Sequence, residues 1–197
     1  MIKSSFFYSK PTPYLLRAGN MLISMPLSGD TYFDRTVILL VEHNENGSLG
    51  VILNKNIPDI LKNTFKNVEI KNNGISLFNG GPVDFDNLVI LHTYGDLIKG
   101  SAHIIDGLYF GGNPHQLVQY LQDDALDENL IRFYLGYSVW AAGQLEEEMK
   151  KKMWVIGQYQ EKFIFHNDDD ECWKMAVKSL GKPYHSWFNI VKQPFLN

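Results

Sequence analysis

The chain is 197 residues long, 45% apolar, 13% aromatic and 20% charged, with a formal net charge of −4. That apolar content excludes a disordered chain, and the single cysteine, Cys172, excludes a disulfide scaffold or a cysteine-built zinc module. The mild negative charge, with arginine only at positions 17, 35 and 132, argues against a general phosphate-binding or nucleic-acid-binding surface.

The chain opens without an apolar stretch of signal-peptide length, because Lys10, Pro11 and Pro13 interrupt it early. Its longest strongly apolar run, Val37 to Val41, is far short of the roughly 20 residues that span a bilayer, so a cytoplasmic protein with no membrane segment is expected. Arg35 is bracketed by Asp30 and Asp34, which predicts a structural ion pair; an anchor for an anionic ligand is the alternative. Thr36–His43 and Leu49–Asn54 are rich in Val, Ile and Leu, and Asn44-Glu45-Asn46-Gly47 separates them. Asn-Gly between two such runs predicts a β-hairpin, since both residues tolerate positive φ. A short helix is expected from Pro58, then strands over Ile75–Asn79, Leu88–His92 and Ala102–Phe110.

Asn113-Pro114-His115-Gln116 carries an N-cap, a proline at the first helical position and Gln three residues after the cap, with Leu117, Val118 and Leu121 on one face of the helix that follows. Ile131–Tyr137, Met153–Gln158 and Phe163–His166 read as further strands. A helix is expected over Val139–Lys152, buried at Leu145 and Met149 and supported by Glu146–Lys150, Glu147–Lys151 and Glu148–Lys152 pairs. The last helix opens at Asp168–Glu171 and ends at Gly181 and Pro183, which makes Cys172 a small buried apolar residue. Strand runs outnumber helices without βαβ alternation, and no linker divides them. The expectation is one α+β domain over residues 1–197, with a mostly antiparallel sheet.

Few of these elements carry recognisable chemistry. Gly136-Tyr137-Ser138-Val139-Trp140 approaches the G-x-S-x-G nucleophile elbow, but Trp fills a position that the tight turn reserves for a small residue. His43, His92, His103 and His166 are candidate bases for Ser138; none has the spacing of a metal-binding helix, and no metal ligand set is expected. The glycine pairs Gly80-Gly81 and Gly111-Gly112 read as tight turns, with anion binding at the second as the alternative. Lys150-Lys151-Lys152 is offset by three preceding glutamates, and no DNA-reading element is visible.

Gly19–Pro26, Asp30, Phe33, Arg35 to Leu40, Glu42-His43, Gly47–Lys55, Gly80–Val83, Leu91-His92 and Asp106–Gly112 form an ordered series. Arg132–Ser138, Trp140, Gly143–Glu146, Glu148 and Trp154 complete it. In order and spacing this series resembles the YqgE/AlgH family of bacterial proteins over nearly the whole chain. The resemblance implies a small β-barrel-like sheet with flanking helices and a transcriptional-regulator label, and it brings no catalytic residue and no cofactor. The family usually has glycine where this chain has Val139, and a β-branched residue there requires ordinary φ or a local adjustment. The favoured expectation is a non-catalytic regulatory or interaction protein that works through a protein partner rather than by reading nucleic acid. A small-molecule or anion-binding module and a serine hydrolase at Ser138 are the alternatives. Arg35, His43, Asn54, Trp140, Gln144, Glu146 and Glu148 form the candidate functional surface.

Overall fold

The computed structural model describes residues 16–57, 77–165 and 169–190. Nine strands follow one another as β1 (Met21–Ser24), β2 (Val37–Asn44), β3 (Gly47–Ile52), β4 (Leu77–Asn79), β5 (Val83–His92), β6 (Ser101–Ile105), β7 (Leu108–Gly111), β8 (Ile131–Ala141) and β9 (Trp154–Gly157). Three α-helices are described: α1 (Pro114–Gln122), α2 (Gln144–Lys150) and α3 (Asp169–Ser179). The strands form one sheet in the order β6-β7-β5-β8-β3-β2-β1-β9. Every pairing is antiparallel except that of β4, which lies parallel to β8. This is an α+β fold.

The Val/Ile/Leu runs are continuous because both faces of the sheet are buried. Along β2, Val37 and Leu39 face one cluster with Met21, Val51, Val89, Leu91, Tyr134 and Trp173. Ile38 and Leu40 face the other side, with Trp140, Leu145, Met149 and Trp154. A third cluster holds Ile90 and Phe133 against Leu117 and Leu121 of α1. The first cluster collects residues from β1 through β8 and is plugged by α3, where Cys172 is buried and its Sγ lies 3.6 Å from the Phe163 carbonyl oxygen. The sheet curls around this cluster until Gly19 touches Ile105: a Cβ on Gly19 would meet Ile105 at 2.8 Å. The core is therefore barrel-like, while the hydrogen-bonded path still ends at β6 and β9.

Several elements differ from the sequence expectation. The β2–β3 hairpin forms with Asn44 opposite Gly47, but only Gly47 takes positive φ (+137°); Asn46 instead donates its N–H to the Asn44 side chain. Ala102–Phe110 is two strands rather than one. Asp106 and Gly107 turn with φ of +37° and +77°, the left-handed pair an Asp-Gly hairpin requires. The helix expected from Val139 begins only at Gln144. Val139, Trp140 and Ala141 extend β8 because they pair with Leu49, Ser48 and Gly47 of β3. In α2, Glu147 pairs with Lys150 at 2.5 Å, one residue closer in sequence than expected. Phe163 ends a 3₁₀ turn over Glu161–Phe163 instead of opening a strand. The helix expected at Pro58 and the base candidate His166 lie outside the described residues. Among the described residues no helix is long and apolar enough to cross a membrane.

Candidate functional site

The candidate residues fall into two groups at opposite ends of β2, not one. Arg35 precedes the strand, and His43 lies near its far end. The length of the strand separates them.

The His43 end is organised by Glu148. Its position on α2 faces the sheet where β8 and β9 present their tryptophans. Oε2 accepts the indole N–H of Trp140 at 2.9 Å and of Trp154 at 2.7 Å. Oε1 accepts from the Gln144 amide at 3.0 Å, while Gln144 Oε1 accepts the backbone N–H of Ala141 and so closes the step from strand to helix. The two indoles meet edge to face at 6.2 Å and are 5% and 3% exposed. A carboxylate that accepts from two buried indoles is a charge-assisted clasp between α2 and the sheet. Glu146, two residues earlier on α2, lies 3.7 Å from His43 Nε2, and His43 Nδ1 is 2.8 Å from Ser48 Oγ. Ser48, His43 and Glu146 thus stand in the order of a Ser-His-acid relay. The serine, however, is buried in the sheet directly opposite Trp140, and the Glu146 contact exceeds hydrogen-bond length. The line joins the hairpin to α2.

The Arg35 end differs from the expected ion pair. Arg35 takes left-handed φ (+53°), its carbonyl oxygen accepts from the Asn54 side chain at 2.9 Å, and Asn54 Oδ1 accepts the N–H of Val37 at 2.7 Å. The guanidinium turns away from Asp30 and Asp34. It stacks 5.0 Å above Trp173 of α3 and donates to the Ile190 carbonyl oxygen. Stacking on a buried aromatic surface outweighs pairing with the carboxylates of an exposed loop, which gain little in water. Asp30 instead caps its own turn by accepting the N–H of Tyr32.

The glycine motifs interlock between these two ends. Gly136 has φ of +71° where β8 passes from β5 to β3. A Cβ there would sit 2.7 Å from the Val83 carbonyl oxygen and 2.8 Å from that of Gly81. A Cβ on Gly80 would sit 2.3 Å from the Gly136 oxygen, and one on Gly81 would sit 2.1 Å from the Tyr137 carbonyl carbon. These glycines let two backbones cross at contact distance. Ser138, shortly after the crossing, is in mid-strand opposite Gly50; it is 1% exposed, and its Oγ has no hydrogen-bond partner among the described residues. His43 bonds Ser48, His92 bonds Ser101 and His103 packs edge-on against Tyr109, so none of the three is hydrogen-bonded to Ser138. Val139 has ordinary φ and is 47% exposed, which is why a β-branched residue fits there. At the other glycine pair, a Cβ on Gly112 would meet Ile98 and Ser101 at 2.6 Å, and the Asn113 side chain takes the N–H groups of His115 and Gln116. The helix start is capped from within.

A model of AlgH-like proteins matches residues 21–185. The chain belongs to the AlgH-like family. A Bacteroides thetaiotaomicron relative, a UPF0301 protein, is 36% identical over 200 residues, covering 100% of this chain and 99% of its own. A Parabacteroides distasonis UPF0301 protein is 37% identical over 180 residues, covering 91% and 90%. The solution structure of the Pseudomonas aeruginosa AlgH protein superposes with a TM-score of 0.67 at 26% identity, covering 98% of this chain and 100% of that one. A Corynebacterium diphtheriae crystal structure shares the fold with a TM-score of 0.68 at 20% identity, covering 87% and 91%.

Sequence reasoning missed Ser48, Asn79, His92 and Trp173 as organising residues of this AlgH-like chain. Asn79 Oδ1 accepts from Tyr32 Oη and from the N–H of Gly81, tying the loop before β2 to the glycine crossing. Trp173 donates to the Ser24 carbonyl oxygen. His92 is fully buried between Tyr94 and Tyr109, and burial pushes its pKa below the usual imidazole value. The Asp-Gly pair at 106–107 was a readable signal, whereas the Asn79–Tyr32 and Trp173–Ser24 contacts join segments far apart in sequence.

Proposed function

We propose that this AlgH-like protein is a non-catalytic interaction protein, regulatory through a protein partner rather than through nucleic acid. The observation that carries this reading is the use of its most distinctive polar residues. Glu148 is committed to Trp140, Trp154 and Gln144, and Asn54 to Arg35 and Val37, so these groups hold the scaffold together. The buried Ser138, whose Oγ has no hydrogen-bond partner among the described residues, supports the same reading. The net charge of −4 disfavours a phosphate backbone as the target. In this reading the 197 residues act as one unit in the cytoplasm.

The test is affinity capture from native lysate with the full chain as bait. The expected result is the same co-purifying protein in independent preparations, retained after nuclease treatment. Loss of all bound protein on nuclease treatment, or no reproducible partner, overturns the proposal.

A further inference from the structure

The face of β2, β3 and β8 that looks towards the α3 side carries a strip beyond the filled core. Leu49 of β3 stands opposite both Glu42 of β2 and Val139 of β8, so the three side chains form a row on one face. The opposite face at this level is taken by His43, Ser48 and Trp140, which confirms the assignment through the alternation of the strands. Tyr137, two residues before Val139 on the same face, continues the strip and donates its hydroxyl to Asp84 Oδ2 at 3.0 Å. Val139 is 47% exposed, Leu49 and Tyr137 are half-buried, and Glu42, Asp84 and Asp86 are exposed.

The charges here share one sign. Residues 41–50, 83–86 and 137–141, which surround the strip on these strands, contain no lysine or arginine. Glu42, Asp84 and Asp86 form no ion pair among the described residues. The strip is thus an apolar row closed at both ends by carboxylates that have no ion-pair partner among the described residues. Strands about 4.8 Å apart place Glu42, Leu49 and Val139 at regular steps across it. A chain crossing the strands meets a carboxylate, two apolar side chains and then the Tyr137–Asp84 pair.

We infer that this strip is the docking surface for the protein partner, and that it takes an apolar segment bracketed by lysines or arginines. The inference rests on the interaction role proposed above and names the chemistry of the partner. Burial of Val139 and Leu49 supplies the apolar contact, and the flanking carboxylates orient the segment and reject acidic competitors.

The test uses the full chain and two fluorescein-labelled peptides that share a Val-Leu core, one flanked by lysines and the other by glutamates. Fluorescence anisotropy is expected to show binding of the lysine-flanked peptide alone, weakening as salt rises. Val139→Asp is expected to weaken it about tenfold or more. Glu42→Gln combined with Asp84→Asn is expected to weaken it and flatten the salt dependence. If Val139→Asp lowers the melting temperature, Val139→Thr, which keeps the β-branch, carries the comparison. Equal binding of both peptides, no binding of either, or an unchanged affinity in the folded Val139 variant overturns the assignment. A lysate partner that binds the Val139 variant normally removes this surface and leaves the interaction role standing, whereas absence of any lysate partner removes the role itself.

Discussion

Replacing Glu148 by alanine is expected to destabilise the protein by about 2–4 kcal/mol. The carboxylate accepts from two indole N–H groups on tryptophans that are 5% and 3% exposed. Each buried donor left without an acceptor costs about 1–3 kcal/mol, so two set a range of about 2–6 kcal/mol. Glu148 is itself half-buried, and water entering the vacated space re-satisfies part of the loss, which lowers the upper bound. Gln144 also loses its acceptor, but it is exposed and re-solvates at little cost. Glu148→Gln keeps an acceptor oxygen and should cost less than half as much. Urea unfolding followed by far-UV circular dichroism measures both variants, and the edge-to-face indole pair provides a second signal in the near-UV. A loss below about 0.5 kcal/mol for the alanine variant would show that the clasp contributes no more than an ordinary surface contact and refute the reasoning. A glutamine variant as unstable as the alanine one would refute the hydrogen-bond account in particular.

Gly136→Ala is expected to cost more than about 3 kcal/mol, because positive φ is joined by contact with two carbonyl oxygens. Gly143→Ala, with similar φ (+76°) and nothing within 4 Å, is expected to cost only about 1–2 kcal/mol; equal losses in thermal denaturation would contradict the crossing. His92 has a folded pKa below its ordinary value of 6.5, so the unfolded chain binds the extra proton first. Its contribution is therefore complete above pH 6.5 and is lost as pH falls from there towards the folded value. Unfolding free energies measured across this range should show a shallower acid slope in His92→Gln than in the wild type, and parallel slopes would rule the histidine out. Ser138→Ala should change stability by less than about 1 kcal/mol, since the hydroxyl is buried without a partner among the described residues, and a fluorophosphonate probe should not distinguish the variant from the wild type.

The elements readable from sequence are those whose signals are local. Asn113 and Pro114 mark the start of α1 because a cap acts within three residues, and Gly181 marks the end beyond α3 for the same reason. Leu145 and Met149 lie i, i+4 on the buried face of α2 as read, although the helix begins five residues later than its pattern suggested. Val139-Trp140-Ala141 is the instructive failure. The segment borders a strong helical pattern, and only pairing with Gly47, Ser48 and Leu49, about ninety residues away, makes it a strand. The candidate residues divided for a related reason. Arg35 precedes β2 and His43 lies near its far end, so the length of that strand separates them.

By itself the sequence determined the α+β class, the β2–β3 hairpin, the cap of α1, the burial of Cys172 and the family resemblance. All of these follow from short-range backbone preferences, apolar periodicity or residue order. Tertiary structure alone decided that Gly80, Gly81 and Gly136 serve one backbone crossing, that Glu148 clasps two indoles, and that Arg35 leaves its neighbouring aspartates for Trp173. Each depends on contacts between segments far apart in the chain. Such contacts are fixed by strand register and packing, for which no local spacing supplies a signal.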